Sequence, residues 1–209
     1  MAIRVGIIAC EALKSEIELL SADDADIVYR EYVKFGMHDY PKKLKGALIE
    51  KVNSLEGKVD SVFLGYGYCQ SLEGIIKELR IPTVIMEAED CISILMTPPV
   101  REEECRKCAG TFFATPFFSQ NFVELMTMDL HLEKLKDKKY DEMWFIKKFF
   151  EGYSRCMYVD TGIGNREKHE DSAKGIAKLL NLQYESRDGT LMIVSESIKR
   201  AKALASRAK

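Results

Sequence analysis

The sequence predicts an α/β protein built on a parallel sheet, and three observations carry that prediction. Strand-like and helix-like segments alternate four times within the first hundred residues, the pattern of a parallel sheet with right-handed crossovers. The run from Ile3 to Ala9 is continuously apolar, as a buried strand requires. Hydrophobic residues make up 46% and charged residues 31% of 209 positions, the balance of a chain with a sizeable core.

The elements follow in order. Ile3 to Ala9 ends in Cys10, and Glu11 to Leu20 places Leu13, Ile17 and Leu20 at helical spacing. Ile27 to Val33 reads as the second strand. Pro41 suits the first turn of a helix that runs to about Asn53, with Leu44, Leu48, Ile49 and Val52 on one face. Ser61 to Gly65 is the third strand, followed by a Gly-rich turn through Cys69 and a helix from Leu72 to Leu79. Pro82 to Met86 is the fourth strand, and Cys91 to Met96 opens another helix. Thr97-Pro98-Pro99 is the clearest break, and Arg101 to Gly110 reads as a polar connector.

Beyond it, Thr111 to Phe118 reads as a strand and Phe122 to Glu151 as a helical region interrupted near Lys136 to Asp141. Arg155 to Asp160 is a strand, Glu167 to Leu180 a helix, and Leu182 to Ser186 and Thr190 to Val194 two more strands around an Asp188-Gly189 turn. Ser195 to Lys209 is an Ala-, Lys- and Arg-rich helix whose cations suit its own C-terminal dipole. The expected architecture is a Rossmann-like parallel sheet with helices on both faces. Residues 1–100 carry the site, and residues 101–209 form a second α/β half, either a separate lobe or a continuation of one domain.

Charge narrows the function classes. With 31 Lys and Arg against 33 Asp and Glu, the formal charge is −2. That balance argues against a nucleic-acid protein, which needs a strong basic footprint. No apolar run approaches the length of a membrane helix. The first ten residues lack the basic leader of a signal peptide, so a cytoplasmic location is expected, where thiols stay reduced. The six Cys are then buried hydrophobes, metal ligands or reactive thiols rather than a disulfide framework.

Four Cys or His residues sit after four successive strands: Cys10, His38, Cys69 and Cys91. In a parallel sheet all four connections lie at the carboxyl edge, where ligands enter such folds. Residues separated by 22 to 31 positions in sequence can therefore converge. Three thiolates and an imidazole suit tetrahedral Zn²⁺, with an iron–sulfur cluster as the alternative. Packing of the same Cys as small hydrophobes is the competing account. Cys69, just before a helix, would also have its thiol acidified by the helix N-terminus.

The same residues resemble an uncharacterised family, the domain-of-unknown-function family numbered 1638. The match lies in Cys10 after a strand, His38-x-x-Pro41, Gly65-Tyr66-Gly67-x-Cys69, Asp90-Cys91-Ile92, Gly110-Thr111-x-x-x-Thr115-Pro116 and Asp160-Thr161-Gly162, spanning nearly the whole chain. The resemblance implies association with corrinoid-dependent methyltransferases of anaerobic metabolism and names Cys10, His38, Cys69, Asp90 and Cys91 as functional positions. This chain departs from the family pattern at Cys105, Cys108 and Phe117-Phe118.

Glu11, Gly65, Tyr66, Gly67, Asp90 and Thr115 complete the candidate set, as residues that bind a ligand or support the metal ligands. Asp90 either caps the helix opened by Cys91 or orients His38. Cys105-x-x-Cys108 looks like half of a zinc knuckle or a redox pair, but its other half is missing and it sits in a charged connector. Gly65-x-Gly67 lacks the third glycine of a dinucleotide fingerprint. His131 and His169 read as solvated surface. The expected function is a cytosolic zinc-binding protein of corrinoid or one-carbon methyl transfer, acting if catalytic as an alkyl transferase on a thiol. The alternatives are a non-catalytic accessory or metal-delivery protein and an iron–sulfur electron carrier. Its partner is a small molecule, or a methyltransferase or corrinoid protein, and homo-oligomers are compatible with the sequence.

Overall fold

The computed structural model describes residues 2–68, 72–134 and 140–208. It is an α/β protein with two parallel sheets, organised in two compact units: residues 1–98 with 190–209, and residues 99–189.

The first unit holds four strands: β1 (Val5–Cys10), β2 (Ile27–Val33), β3 (Ser61–Gly67) and β4 (Thr83–Met86). They pair in the order β2-β1-β3-β4, all parallel. Helices α1 (Lys14–Ser21) and α2 (Pro41–Asn53) make the first two crossovers, and α3 (Cys91–Met96) follows β4. One sheet face, carrying Ile8, Val62 and Leu64, packs on Leu44, Leu48 and Val52 of α2. The other receives α8 (Met192–Arg207), where Ser61 Oγ donates to the Ala201 carbonyl at 2.7 Å. Burial of both faces explains why β1 and β3 are apolar without alternation.

Helix α4 (Pro98–Lys107) links the units. In the second, β5 (Thr111–Ala114), β6 (Arg155–Asp160) and β7 (Gln183–Asp188) form a parallel sheet in the order β5-β6-β7. Helices α5 (Pro116–Asp129), α6 (Glu142–Phe149) and α7 (Arg166–Leu180) complete it. Cys156 and Tyr158 enter a core with Phe122 and Met126 of α5 and Ala173, Ile176 and Ala177 of α7. Burial lifts the Cys156 thiol to about 12, so this Cys is a packing residue. Among the described residues no helix is long and apolar enough to cross a membrane.

Several elements differ from the sequence expectation, each for a local reason. Leu72 to Leu79 does not form a helix, because Gly74 takes a left-handed conformation (φ 72°) and only the 3₁₀ turn Ile75–Glu78 follows it. The polar connector is instead helix α4, opened by Pro98 and Pro99 and ending in Arg106 and Lys107, a dipole-favoured order. Pro116 does not close a strand but opens α5, with Thr115 as its cap. The strand expected at Thr190 to Val194 is the start of α8. Thr190 N bonds Leu95 O, and the chain turns there back into the first unit. The final helix therefore belongs to the first sheet rather than to a half spanning 101–209. Of the expected break between Lys136 and Asp141, residues 136–139 lie outside the described residues. His169 is not solvated surface: it is 4% exposed on the inner face of α7 and contacts Gln120.

A buried charge cluster anchors α4 to the second sheet. Arg155, at the start of β6, gives its guanidinium to the Glu104 carboxylate at 2.9 Å, to Glu104 O at 2.8 Å and to Glu185 at 2.9 Å. Arg187 reaches the same Glu104 at 2.6 Å, and Lys107 reaches Glu104 at 3.0 Å. The Glu104 and Arg155 side chains are only 3% and 7% exposed. Burial pushes the Glu104 carboxyl up, but hydrogen bonds and charge from Lys107 and Arg155 together outweigh it and hold the carboxyl below its ordinary 4.5. A carboxyl depressed in the folded state contributes stability that is complete above its unfolded value and is lost as pH falls through its folded value. Glu104→Gln, which leaves Arg155 buried without its charge partner, should therefore cost about 3–5 kcal/mol at pH 7. It should also flatten the fall in stability below about pH 4.5. Urea unfolding of both proteins between pH 3 and pH 7 measures both effects.

Candidate functional site

Parallel pairing brings the ends of β1, β2, β3 and β4 to one edge of the first sheet. Cys10 is the last residue of β1, and Cys91 is the first of α3, just beyond β4. Both are partly exposed free thiols. Burial by surrounding protein, joined at Cys91 by negative charge on Cys10 and Asp90, lifts Cys10 to about 11 and Cys91 to about 12. The two thiols are thus close enough for the charge of one to act on the other.

Tyr66, near the end of β3, joins them. Burial raises its hydroxyl first, and the Cys10 charge adds to that. Its Oη is buried with no hydrogen-bond partner among the described residues. A buried phenol normally finds a partner, and the Cys10 thiol is the ionisable group whose charge acts on this one. Cys69 lies outside the described residues.

His38 sits in the 3₁₀ turn Phe35–Asp39. Its Nδ1 lies 2.8 Å from the Phe35 carbonyl oxygen, and the two rings meet edge-on at 4.6 Å. A carbonyl only accepts, so Nδ1 carries the proton and Nε2 is the nitrogen with metal-binding capacity, the orientation usual for metal-ligating His. Glu11 accepts a hydrogen bond from Phe35 N at 3.2 Å and ties this turn to the end of β1. Among the described residues, no three His, Cys, Asp or Glu side chains are placed to hold a metal ion. The described atoms bring Cys10 within electrostatic reach of Cys91 and of Tyr66; they do not bring His38 into a three-ligand cluster with the two thiols.

The remaining candidates have structural duties. A Cβ on Gly65 would lie 2.4 Å from the Ala9 Cβ, and one on Gly67 2.5 Å from Ala88 O. The two glycines let β3 run close to β1 and to the loop after β4, where Tyr68 N bonds Ala88 O at 2.6 Å. Asp90 caps α3, accepting from Ser93 N at 2.6 Å, and so fixes the start of the helix that carries Cys91. Thr115 belongs to the second unit and caps α5 through Phe118 N at 3.4 Å. The Tyr66 hydroxyl was legible only as part of a motif; its orphaned state depends on burial, which sequence does not display.

A family model described as "Protein of unknown function (DUF1638)" matches residues 32–198. The chain belongs to this family. Comparison with curated proteins gives no match. Among solved structures, unliganded arylmalonate decarboxylase aligns with 97% of the DUF1638 chain and 92% of its own, at 11% identity and a TM-score of 0.34. The catalytic subunit of M. jannaschii aspartate transcarbamoylase aligns over 90% and 58%, at 8% identity and 0.28. Ornithine carbamoyltransferase from Pyrococcus furiosus aligns over 90% and 54%, at 11% identity and 0.27. Scores this low add nothing on chemistry to the α/β architecture already described.

If Gly65 serves strand packing, Gly65→Ala should destabilise the protein by about 2–3 kcal/mol, because the crowding involves Ala9 backbone as well as side chain. Urea denaturation reads this cost. Unchanged stability would mean that β1 and β3 do not approach as described.

Proposed function

We propose that the carboxyl edge of the first sheet is a soft-metal site, with Zn²⁺ held by Cys10, Cys69 and Cys91 and by His38 through Nε2. The protein then works in methyl or alkyl transfer to a thiol, in partnership with a corrinoid-dependent methyltransferase system. The observation that carries the reading is the meeting of Cys10, Cys91 and the orphaned Tyr66 hydroxyl at one edge of a parallel sheet. Thiolates and imidazole are the ligand types that favour zinc over the hard divalent cations. His38 enters this set from the connection after β2, on the edge where Cys10 ends its strand, and Cys69 enters it from the sequence reading alone.

Each residue then has a task. The thiolates of Cys10 and Cys91 neutralise the cation, and the enclosure that disfavours them as free anions favours them as ligands. The Tyr66 hydroxyl donates to a thiolate or to a bound substrate atom. Asp90 holds the α3 terminus, and Glu11 holds the His38 turn. Zinc bound by three protein ligands would take a substrate thiol in its fourth position and acidify it, which prepares that thiol to accept an alkyl group. With all four ligands engaged the site is closed, and the protein acts as an accessory or metal carrier to the methyltransferase.

Anaerobic purification followed by elemental analysis and a visible spectrum tests the site. The expected result is colourless protein with about one zinc per chain. Cys10→Ser and Cys91→Ser should each lose the metal while keeping the far-ultraviolet circular dichroism of the parent. Tyr66→Phe should retain zinc with roughly tenfold weaker affinity. Brown protein containing iron and sulfide would replace zinc by a cluster. Folded protein that takes up neither metal would overturn the site. Methylation of a thiol by a methyl-corrinoid donor separates transferase from accessory.

A further inference from the structure

The second unit holds another pair of thiols that the zinc site does not use. Cys105 and Cys108 lie one helical turn apart, Cys105 within α4 and Cys108 just past its end, where its N–H still bonds Glu104 O at 3.1 Å. Cys108 Sγ is 3.1 Å from Ser154 Oγ. It opens on a pocket of about 490 Å³ whose lining includes Lys107, Ser154, Arg155, Glu185 and Arg187. That volume falls within the range of small-ligand sites. Charges of both signs around it suit a ligand that itself carries ammonium and carboxylate groups. Cys105 has a cation of its own: the Arg101 guanidinium contacts its Sγ and stacks over the Phe113 ring at 4.8 Å.

We propose that Cys108 and Cys105 form a dithiol site that exchanges with charged small-molecule disulfides, Cys108 attacking and Cys105 resolving. The Cys108 thiolate attacks one sulfur of the bound disulfide. A new S–S bond forms on Cys108, the old one breaks, and the departing thiolate takes a proton from water. Cys105 then gives up its proton and attacks Cys108 Sγ, closing an intramolecular disulfide and expelling the second thiol. Two protein thiols are oxidised and one small disulfide is reduced to two thiols.

Three features support each step. Residues three apart on a helix have Cα atoms about 5 Å from each other, inside the disulfide window. Cys108 lies beyond the last residue of α4, so closing the remaining gap asks its side chain to turn from Ser154 toward Cys105. The Ser154 hydrogen bond, followed by one from Thr111, holds the Cys108 thiol below its ordinary value, with Arg155 adding to the effect against some desolvation. The groups that line the pocket around Cys108 are Glu104 and Lys107 of α4, Ser154 and Arg155 before and on β6, and Glu185 and Arg187 of β7. Cys10, Cys91 and Cys156 are raised instead, so the described thiols are not equivalent.

The test is incubation of the native protein with glutathione disulfide at pH 7, followed by non-reducing peptide mapping. The expected product is a Cys105–Cys108 disulfide. Cys105→Ser should stop at one glutathionyl group on Cys108, and Cys108→Ser should leave Cys105 unmodified. Ser154→Ala should slow iodoacetamide alkylation of Cys108 by about fivefold at pH 7, the effect of one lost hydrogen bond to the thiolate. An unreacted Cys108 in the wild-type protein, glutathione on Cys105 ahead of Cys108, or glutathione spread without preference over all the thiols would each overturn the proposal. The wild-type measurement stands without any variant, so a misfolded substitution leaves the outcome decisive.

Discussion

In a parallel ladder every strand leaves the sheet at the same edge, and the chemistry of the first unit depends on that constraint. β1 pairs with β2 on one side and β3 on the other, and β3 with β4, so four consecutive exits fall in one row. A residue at the end of one strand meets a residue eighty positions later without any local motif between them. Cys10 and Cys91 meet in this way. The cost is close backbone approach at the row's centre, where Gly65 and Gly67 stand because a side chain would collide with Ala9 or Ala88.

Much of this was legible in the sequence, and the reason is the two-faced burial of the sheet. Uninterrupted apolar runs at β1 and β3, a Pro at the start of α2 and an Asp before Cys91 carry their structural meaning locally. The positions of Cys10 and Cys91 followed from those strands. What escaped the sequence was decided by partners far away. Helix α4 looks like a polar connector because its one inward-facing carboxylate, Glu104, is buried only by virtue of Arg155, fifty-one residues later. His169 looks like surface because α7 is highly charged, yet its ring faces inward toward Gln120. Thr190 to Val194 looks like a strand because its β-branched and apolar residues serve the start of a helix that packs on the first sheet, far away in sequence.

Cys10 and Cys91 of the first unit and Cys108 of the second sit in opposite settings. In the first, enclosure suppresses ionisation until something with positive charge arrives, a setting for ligands of a cation. In the second, a hydroxyl and a guanidinium near an open pocket promote ionisation, a setting for a nucleophile.

The return of α8 to the first sheet has a consequence for biogenesis. Ser61 bonds the carbonyl of Ala201, so the first unit acquires one of its covering helices only after the whole second unit has been synthesised. During translation the sheet that carries Cys10 emerges with one flank bare, while residues 99–189 form a contiguous block that is ready to fold first. The usual vectorial order is thus inverted, and one face of the first sheet is covered only after α8 has emerged. Until α8 leaves the ribosome, one apolar face of the first sheet lacks its cover.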